Sequence, residues 1–336
     1  MSEASSLRIG VVGAGAIGAV VAGMLAGVGA QVSVVELGAR RAAIARDGLR
    51  FQLGDAPMQA LPLPVGDAAD FGVQDLVFLA VKSQVLPAAL AGAMPMIGPN
   101  TQVVPLVNGV PWWYFLGTDA PFAREHVETV DPGARAQQLL TPAQLIGSVV
   151  YITAALSADG VAHATGPQRL VIGEVLGGMS ERIQALAALL ESAAISTKVS
   201  DDIRRDVWTK VALNLATNPL SVVAEAHLAD QFNRDDLRNA VDAVLHETVA
   251  LAGLYGVQPS MDLEQMIATG KRVGAFDTSM LQDYRAGRPL ELGAIGQAVL
   301  ELAEQAGHAM PVARSMVGLA AYKAQRATAF VSKELP

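Results

Sequence analysis

Between Ile9 and Ala30 the chain runs 22 residues without a charged side chain, and seven of those residues are glycine. A run of that length is long enough to span a bilayer. So many glycines argue against a spanning helix, and Gln31 and Ser33 lead straight into another apolar run. Nor is the flank basic, as a secretory leader requires, because Glu3 offsets Arg8. The stretch reads instead as a buried strand, a turn and a buried helix. Leu7 to Val12 is apolar and β-branched, the pattern of a strand covered on both faces of a parallel sheet. It ends at Gly13-Ala14-Gly15-Ala16-Ile17-Gly18, and Ala19 to Val28 follows as a helix of small apolar residues. Gln31 to Val35 is the next strand, closed by Glu36.

A G-x-G-x-x-G hexapeptide between a strand and a helix, with an acid about 20 positions on, is the dinucleotide fingerprint. Its spacing has physical reasons. Gly13 permits the tight turn, Gly15 lets backbone approach a pyrophosphate, and Gly18 lets helix and strand pack closely. The N–H groups at the helix start then hold the phosphates. Residues 13 to 18 and Glu36 are therefore the expected cofactor-binding set. The alternation continues with strands at Asp75–Val81, ending in Lys82-Ser83-Gln84, and at Thr101–Val107, ending in Asn108-Gly109. Ligands of open α/β sheets sit outside the carboxyl ends of the strands, which adds Lys82 and Asn108 to the set. The plainer alternative is a solvated strand end and a turn pair.

Composition narrows the function. At 336 residues and 51% apolar, the chain is expected to form two packed domains. The net charge of −8, with no Lys/Arg run longer than two, gives no nucleic-acid footprint. Absence of cysteine removes disulfides, thiolate zinc sites and cysteine nucleophiles, and five scattered histidines give no expectation of a metal. A cytoplasmic protein acting on small molecules is expected.

From Asn108 to Ile146 the pattern loosens. Trp112-Trp113-Tyr114-Phe115 directly follows the Asn-Gly turn, as a satellite core under a loop or as the wall of a substrate pocket. Ile146–Ala155 and Gln168–Val175 read as strands joined by a turn, Glu181–Ser192 as a helix and Thr197–Val199 as a last strand. Beyond Ser200 only helical patterns remain, at Asp201–Ala226, Leu237–Tyr255, Leu263–Thr269 and Leu290–Ala306, with Asp201 and Asp202 as cap and first-turn acids. The expected architecture is an α/β Rossmann-type N-terminal domain, residues 1–200, and an all-α C-terminal domain, residues 201–336, with the active site between them. Lys210, Asn214 and Asn218 recur every fourth residue and drift about 40° per step, so they share one stripe of a helix. Asn is a poor helix former, and two in an otherwise apolar helix need a reason. A solvent-facing stripe is the alternative.

Five blocks together resemble the ketopantoate reductase family, related to the 6-phosphogluconate dehydrogenase-like oxidoreductases. They are Gly13-Ala-Gly-Ala-Ile-Gly18, Val81-Lys-Ser-Gln84, Val107-Asn-Gly109, the run from Lys210 to Pro219, and the run from Ser279 to Glu291. They occur in family order and cover the chain from Leu7 to about Val317. The resemblance implies hydride transfer from reduced nicotinamide to C2 of a 2-oxo acid, ketopantoate becoming pantoate in pantothenate biosynthesis. It implies that Lys210 is the catalytic acid/base and Glu291 the carboxylate near it. It further implies that Asn214, Asn218 and Ser279 bind substrate, and that Asn108 lies on the nicotinamide side. The expected partners are the small-molecule 2-oxo acid and, in a homodimer, a second copy of the chain, with no nucleic acid and no membrane. A D-2-hydroxyacid dehydrogenase on the same scaffold, or a dinucleotide sensor without turnover, are the rivals.

Two departures bear on specificity. NADP-using members place an Arg one position beyond the strand-end acid, where this chain has Leu37. A carboxylate at Glu36 suits a ribose 2′-OH and repels a 2′-phosphate. NAD is therefore expected over NADP, with Arg40 and Arg41 as the counterweight if they swing toward a phosphate. The stretch from Trp112 to Thr141 is longer and more aromatic than in compact members, and Trp112 or Trp113 is expected to line the acyl pocket.

Overall fold

The computed structural model describes residues 7–334, those from 327 onward as helix only. The chain divides into two compact units. The first comprises residues up to 107 together with 135–203, and the second residues 108–134 together with 204 onward.

The first unit opens with β1 (Arg8–Val12), α1 (Ala16–Gly27), β2 (Gln31–Val35), α2 (Gly38–Asp47), β3 (Leu49–Leu53), β4 (Gln59–Leu61) and β5 (Val65–Gly66). After these come β6 (Leu76–Leu79), α3 (Leu86–Ala93), β7 (Gln102–Pro105), β8 (Ile146–Tyr151), β9 (Ala154–Leu156) and β10 (Ala162–Ala164). It closes with β11 (Arg169–Glu174), α4 (Glu181–Ser192) and β12 (Ser196–Ser200). Five strands form a parallel sheet in the order β5-β2-β1-β6-β7. At its centre Val11 lies opposite Val34 on one side and Phe78 on the other, and all three are fully buried. That is the Rossmann arrangement expected of near-continuous apolar strands. A bridge between Val103 and Leu145 links this sheet to a second, of order β12-β11-β8.

A third sheet, β4-β3-β10-β9, packs on the other side of α1. The Phe51 ring of β3 presses on Gly23, where a Cβ would lie 2.3 Å from the ring. Sheets on both sides explain the composition of α1, whose residues from Gly18 to Leu25 are all buried. The third sheet is also where the sequence reading falls short. β8 and β11 pair antiparallel as expected, with Val149 opposite Val171, but their connection contains the β9–β10 hairpin, which belongs to the third sheet.

The second unit is helical and holds no strand among the described residues. Its elements are α5 (Ile203–Ala224), α6 (Leu228–Asn233), α7 (Asp235–Leu254), α8 (Leu263–Arg272), α9 (Ser279–Arg285), α10 (Ala298–Gln305) and α11 (Pro311–Glu334). Helix α5 starts at Ile203, so Asp201 and Asp202 precede it, and the acid in its first turn is Asp206. It continues through Pro219, whose missing N–H leaves the Leu215 carbonyl without its helical donor. No described helix is long and apolar enough to cross a membrane.

Residues 108–134 were assigned by pattern to the first domain, but they pack with the helices. Arg204 donates from Nε to the Tyr114 carbonyl at 2.9 Å and from Nη2 to that of Leu116 at 2.6 Å. Trp208 Nε1 donates to the Tyr114 hydroxyl at 2.7 Å. The Glu301 carboxylate accepts the N–H groups of Glu128 and Thr129, both at 2.8 Å. Tyr114, Phe115, Phe122, Trp208 and Tyr255 form one aromatic cluster, and burial pushes the Tyr255 phenol up to about 12.

Glu174 at the end of β11 offers a pH test of the first unit. The Arg182 guanidinium, bonded through Nε at 2.8 Å, and the Ser180 hydroxyl hold its carboxyl below the usual range against the opposing effect of burial. A carboxyl depressed in the folded state stabilises above its unfolded pKa and loses that contribution as pH falls through the folded one. Thermal melts of wild type and Glu174→Gln should therefore differ most at neutral pH and converge in acid. A gap that stays constant down to pH 3 would show that the charge contributes nothing.

Candidate active site

In the first unit the hexapeptide divides its glycines by task. Gly13 sits at φ 92°, donates to the Val35 carbonyl at 2.9 Å, and has no room for a side chain, since a Cβ would come within 2.8 Å of the Ala80 carbonyl oxygen. At Gly18 a Cβ would lie 1.9 Å from the Gly13 oxygen, so helix and loop touch backbone to backbone. Gly15 differs, because its φ of −65° suits any residue and a Cβ there would meet nothing within 4 Å. It fronts open space. Helix α1 begins at Ala16 with no side-chain cap and no acid in its first turn. Free N–H groups, a positive helix end and space before Gly15 fit a dinucleotide pyrophosphate.

Around this loop Glu36 is half-buried and held. Its Oε2 accepts the Ala14 N–H at 2.7 Å and its Oε1 the Leu37 N–H at 2.9 Å. The Leu37 side chain is 70% exposed. Arg40 and Arg41, the counterweight to NAD in the sequence, both have protein partners. Arg40 donates to the carbonyls of Ala14 and Gly160, at 3.0 and 2.6 Å, and Arg41 pairs with Asp67 at 2.9 Å. Burial draws the Arg40 guanidinium below its ordinary pKa, with Glu36 opposing. Lys82 is exposed at the carboxyl end of β6, ahead of a short 3₁₀ turn.

The remaining sequence-derived residues all lie in the second unit, Asn108 among them. Lys210 and Asn214 are half-buried and Asn218 is buried on one face of α5. Around them Val211, Ala212, Leu215 and Ala216 are at most 1% exposed, while Leu213 is half-buried beside the stripe. The polar stripe is thus not the wet side of a surface helix. Its far end is pinned by two residues the sequence reading passed over. Ser221 donates to the Asn218 carbonyl at 2.6 Å and lies 2.6 Å from the hydroxyl of Thr278, which caps α9 by accepting the Leu281 N–H at 3.1 Å. This brings Ser279, the exposed first residue of α9, beside the Asn218 turn. A Thr just before a helical run was the available signal.

Glu291 is 6% exposed. The turn before it is braced by buried Asp283, which accepts Arg288 Nε at 2.8 Å, while the Asp283 carbonyl accepts the Arg288 N–H at 2.8 Å. The turn after it, Gly293–Gln297, is π-helical and leaves the Ala294 carbonyl to accept the Val110 N–H at 2.9 Å. Gly109, at φ 89°, lies so close that a Cβ would be 2.4 Å from the Ala294 carbonyl. Asn108 is in this way tied to the turn that follows Glu291. Trp112 and Trp113 are 2% and 1% exposed. They are buried in the second unit, as the satellite-core alternative has it, and neither indole N–H has a hydrogen-bond partner. Among the described residues no His, Asp and Glu group is arranged to hold a metal.

A Rossmann unit with an uncapped glycine loop, followed by a helical unit carrying a partly shielded lysine, is the plan of an NAD(P)-dependent oxidoreductase. Comparison with known proteins agrees and narrows it. Residues 9–177 match the model for ketopantoate reductase PanE/ApbA, and residues 202–324 match that for its C-terminal part. A 2-dehydropantoate 2-reductase of Mesorhizobium japonicum is 35% identical over 93% of this chain and 96% of its own. One of Halobacterium salinarum is 28% identical over 93% and 97%. The crystal structure of a ketopantoate reductase candidate from Ralstonia solanacearum superposes with a TM-score of 0.89 at 34% identity, covering 96% of this chain and 98% of that one. A D-mandelate dehydrogenase solved with NADH and anilino(oxo)acetate shares the fold, with a TM-score of 0.83 at 20% identity over 96% and 99%. The chain belongs to the ketopantoate reductase family and is an oxidoreductase acting on a CH–OH group.

The loop geometry separates a glycine that fronts open space from one that the packing requires. Gly15→Val should melt close to the wild type but bind NADH and NADPH much more weakly, because its side chain enters space the protein leaves open. Gly18→Val should lower stability itself, by about 1–3 kcal/mol or more, since backbone must move. Calorimetric binding and thermal unfolding of both variants check this, and unimpaired binding in Gly15→Val would remove the loop from the cofactor site.

Proposed function

We propose that this chain is a 2-dehydropantoate 2-reductase, reducing the 2-oxo acid to its 2-hydroxy acid with NADH preferred over NADPH. The observation that carries the chemistry is the polar face of α5, where Lys210 and Asn214 stay partly open in a stretch, Asp206 to Val222, whose other residues apart from Leu213 are buried. The bound cofactor supplies the hydride to C2. Lys210 Nζ gives the proton to the oxygen as it becomes an alkoxide, and its positive charge favours that oxyanion before transfer. The carboxamides of Asn214 and Asn218 and the Ser279 hydroxyl hold hydroxyl and carboxylate oxygens without altering net charge. Glu291 is the carboxylate of the set and Asn108 its nicotinamide-side residue. Residues 13–18, Glu36 and Lys82 hold the dinucleotide.

The test of the acid is Lys210→Ala, in which kcat should fall by about 10²–10⁴ while dinucleotide binding stays near wild type. Wild-type turnover in that variant would remove Lys210 from the mechanism. A panel of 2-oxo acids run in parallel checks the substrate. Faster reduction of another acid would move the assignment to a different D-2-hydroxyacid dehydrogenase, and no turnover at all would leave a dinucleotide sensor.

The preference for NADH rests on Glu36. An ionised carboxylate has about four lone-pair sites, of which backbone N–H groups take two, so ribose hydroxyls can still be accepted. A 2′-phosphate beside it would meet a like charge in a partly buried place. Both nearby arginines already have protein partners, and Leu37 supplies no cation. Measured kcat/KM should favour NADH in the wild type, and the gap should shrink in Glu36→Ala. A wild type that strongly prefers NADPH would overturn the reading.

A further inference from the structure

We infer that Arg40 is a positioning residue of the cofactor loop, fixing the direction of the Gly15 N–H, and not a ligand of any cofactor phosphate. The inference rests on the reading that residues 13–18 hold a dinucleotide. The peptide group joining Ala14 to Gly15 is planar and trans, so its carbonyl and its N–H point in opposite directions. Arg40 Nε grips the Ala14 carbonyl at 3.0 Å. Whatever fixes that oxygen on one side aims the Gly15 N–H to the other, toward the side on which a Cβ at Gly15 would meet nothing. The preceding peptide is fixed independently. Its N–H, that of Ala14, is taken by Glu36 at 2.7 Å, and its oxygen, that of Gly13, lies against Gly18. Two successive peptides of a loop rich in glycine are thus held by side chains from beyond β2. Without such anchors the loop would order only when a ligand arrived, at a cost in affinity.

The guanidinium is itself anchored. Its Nη1 donates at 2.6 Å to the carbonyl of Gly160, in the turn between β9 and β10. Gly160 sits at φ 84°, and a Cβ there would come within 2.8 Å of Nη1, so this turn is shaped around the arginine. Arg50 reaches the neighbouring carbonyl, that of Asp159. Nη2 is buried, with no hydrogen-bond partner, and so offers no face to a phosphate. Arg40 therefore braces the loop against the third sheet, the part of the first unit that the dinucleotide fingerprint does not describe.

A positioning arginine and a phosphate-binding arginine differ in one measurable way. NADH and NADPH are titrated onto wild type, Arg40→Ala, Arg40→Lys and Gly160→Ala, and amide hydrogen exchange is followed in the dinucleotide-free proteins. Loss of a charge-assisted hydrogen bond weakens binding by about tenfold to a hundredfold. Both dinucleotides should lose affinity by the same factor in Arg40→Ala and Arg40→Lys, and by less in Gly160→Ala. The Ala14 amide of the same loop, bonded to Glu36 at 2.7 Å, should exchange faster in all three, a change in the free protein that no lost ligand contact would produce. If Arg40→Ala does not fold, Arg40→Lys and Gly160→Ala carry the test, since both retain most of the local packing. Loss confined to NADPH would make Arg40 a phosphate ligand and overturn the inference. So would wild-type affinity for both dinucleotides in the Arg40 variants. A wild type that binds neither dinucleotide would instead overturn the cofactor reading beneath it.

Discussion

The approach of the Gly13 carbonyl to Gly18, where no side-chain carbon fits, sets how α1 crosses β1. With α1 held that close to the sheet, its opposite side lies near enough for β3 to reach Gly23 with the Phe51 ring. A helix confined between two sheets can carry only small or apolar residues, and it needs no polar face. The uncharged run from Ile9 to Ala30 follows from this packing. No side chain caps the start of α1, so its first N–H groups are left without a side-chain partner. Packing and open space thus meet within one hexapeptide, Gly13 and Gly18 serving the first and Gly15 fronting the second.

The second unit is organised around α5, which is clamped at both ends and polar between the clamps. Near its start, Arg204 and Trp208 fasten the 113–116 backbone and the Tyr114 hydroxyl. Toward its end, the paired hydroxyls of Ser221 and Thr278 fasten α9. Lys210, Asn214 and Asn218 fall between these fixed points, so the helix has little freedom to turn its stripe away. Position, not propensity, keeps two asparagines in this helix. The π-helical turn after Glu291 does similar work for the Asn108 loop. From that turn the Ala294 carbonyl accepts the Val110 N–H of the loop.

What could be read from the sequence was what adjacent residues decide together. The strand, glycine turn, helix and acid at Glu36 lie within one short stretch, and each part supports the others. Helix α4 was legible to the residue because Ser180 caps it and its apolar period is regular. The strands of the third sheet were not. β4 is three residues long and exposed along most of its length, so no alternation marks it, and β9 and β10 are as short. Residues 108–134 were assigned to the wrong unit for a related reason. The Arg204 and Glu301 side chains that hold the segment stand about 90 and 170 positions further along the chain. The partners of Arg40 and Arg41, Gly160 and Asp67, were not legible because they are likewise remote in sequence.

Glu36 and Leu37 make an asymmetric pair. The Glu36 carboxylate joins the fold itself, since it accepts the Ala14 N–H of the loop it helps define. On the proposed reading, replacing it alters loop geometry and the charge a ribose would meet: the first changes both dinucleotides alike, the second only their ratio. Leu37 is largely in solvent and its side chain holds nothing in place. A cation at position 37 would cost the fold almost nothing, whereas removing the acid at 36 would disturb the loop. On the proposed reading, cofactor choice is therefore easier to change by adding a positive charge beside the acid than by deleting the acid. Arg40 does not blur that distinction, because its charge is committed to backbone carbonyls on the far side of the loop.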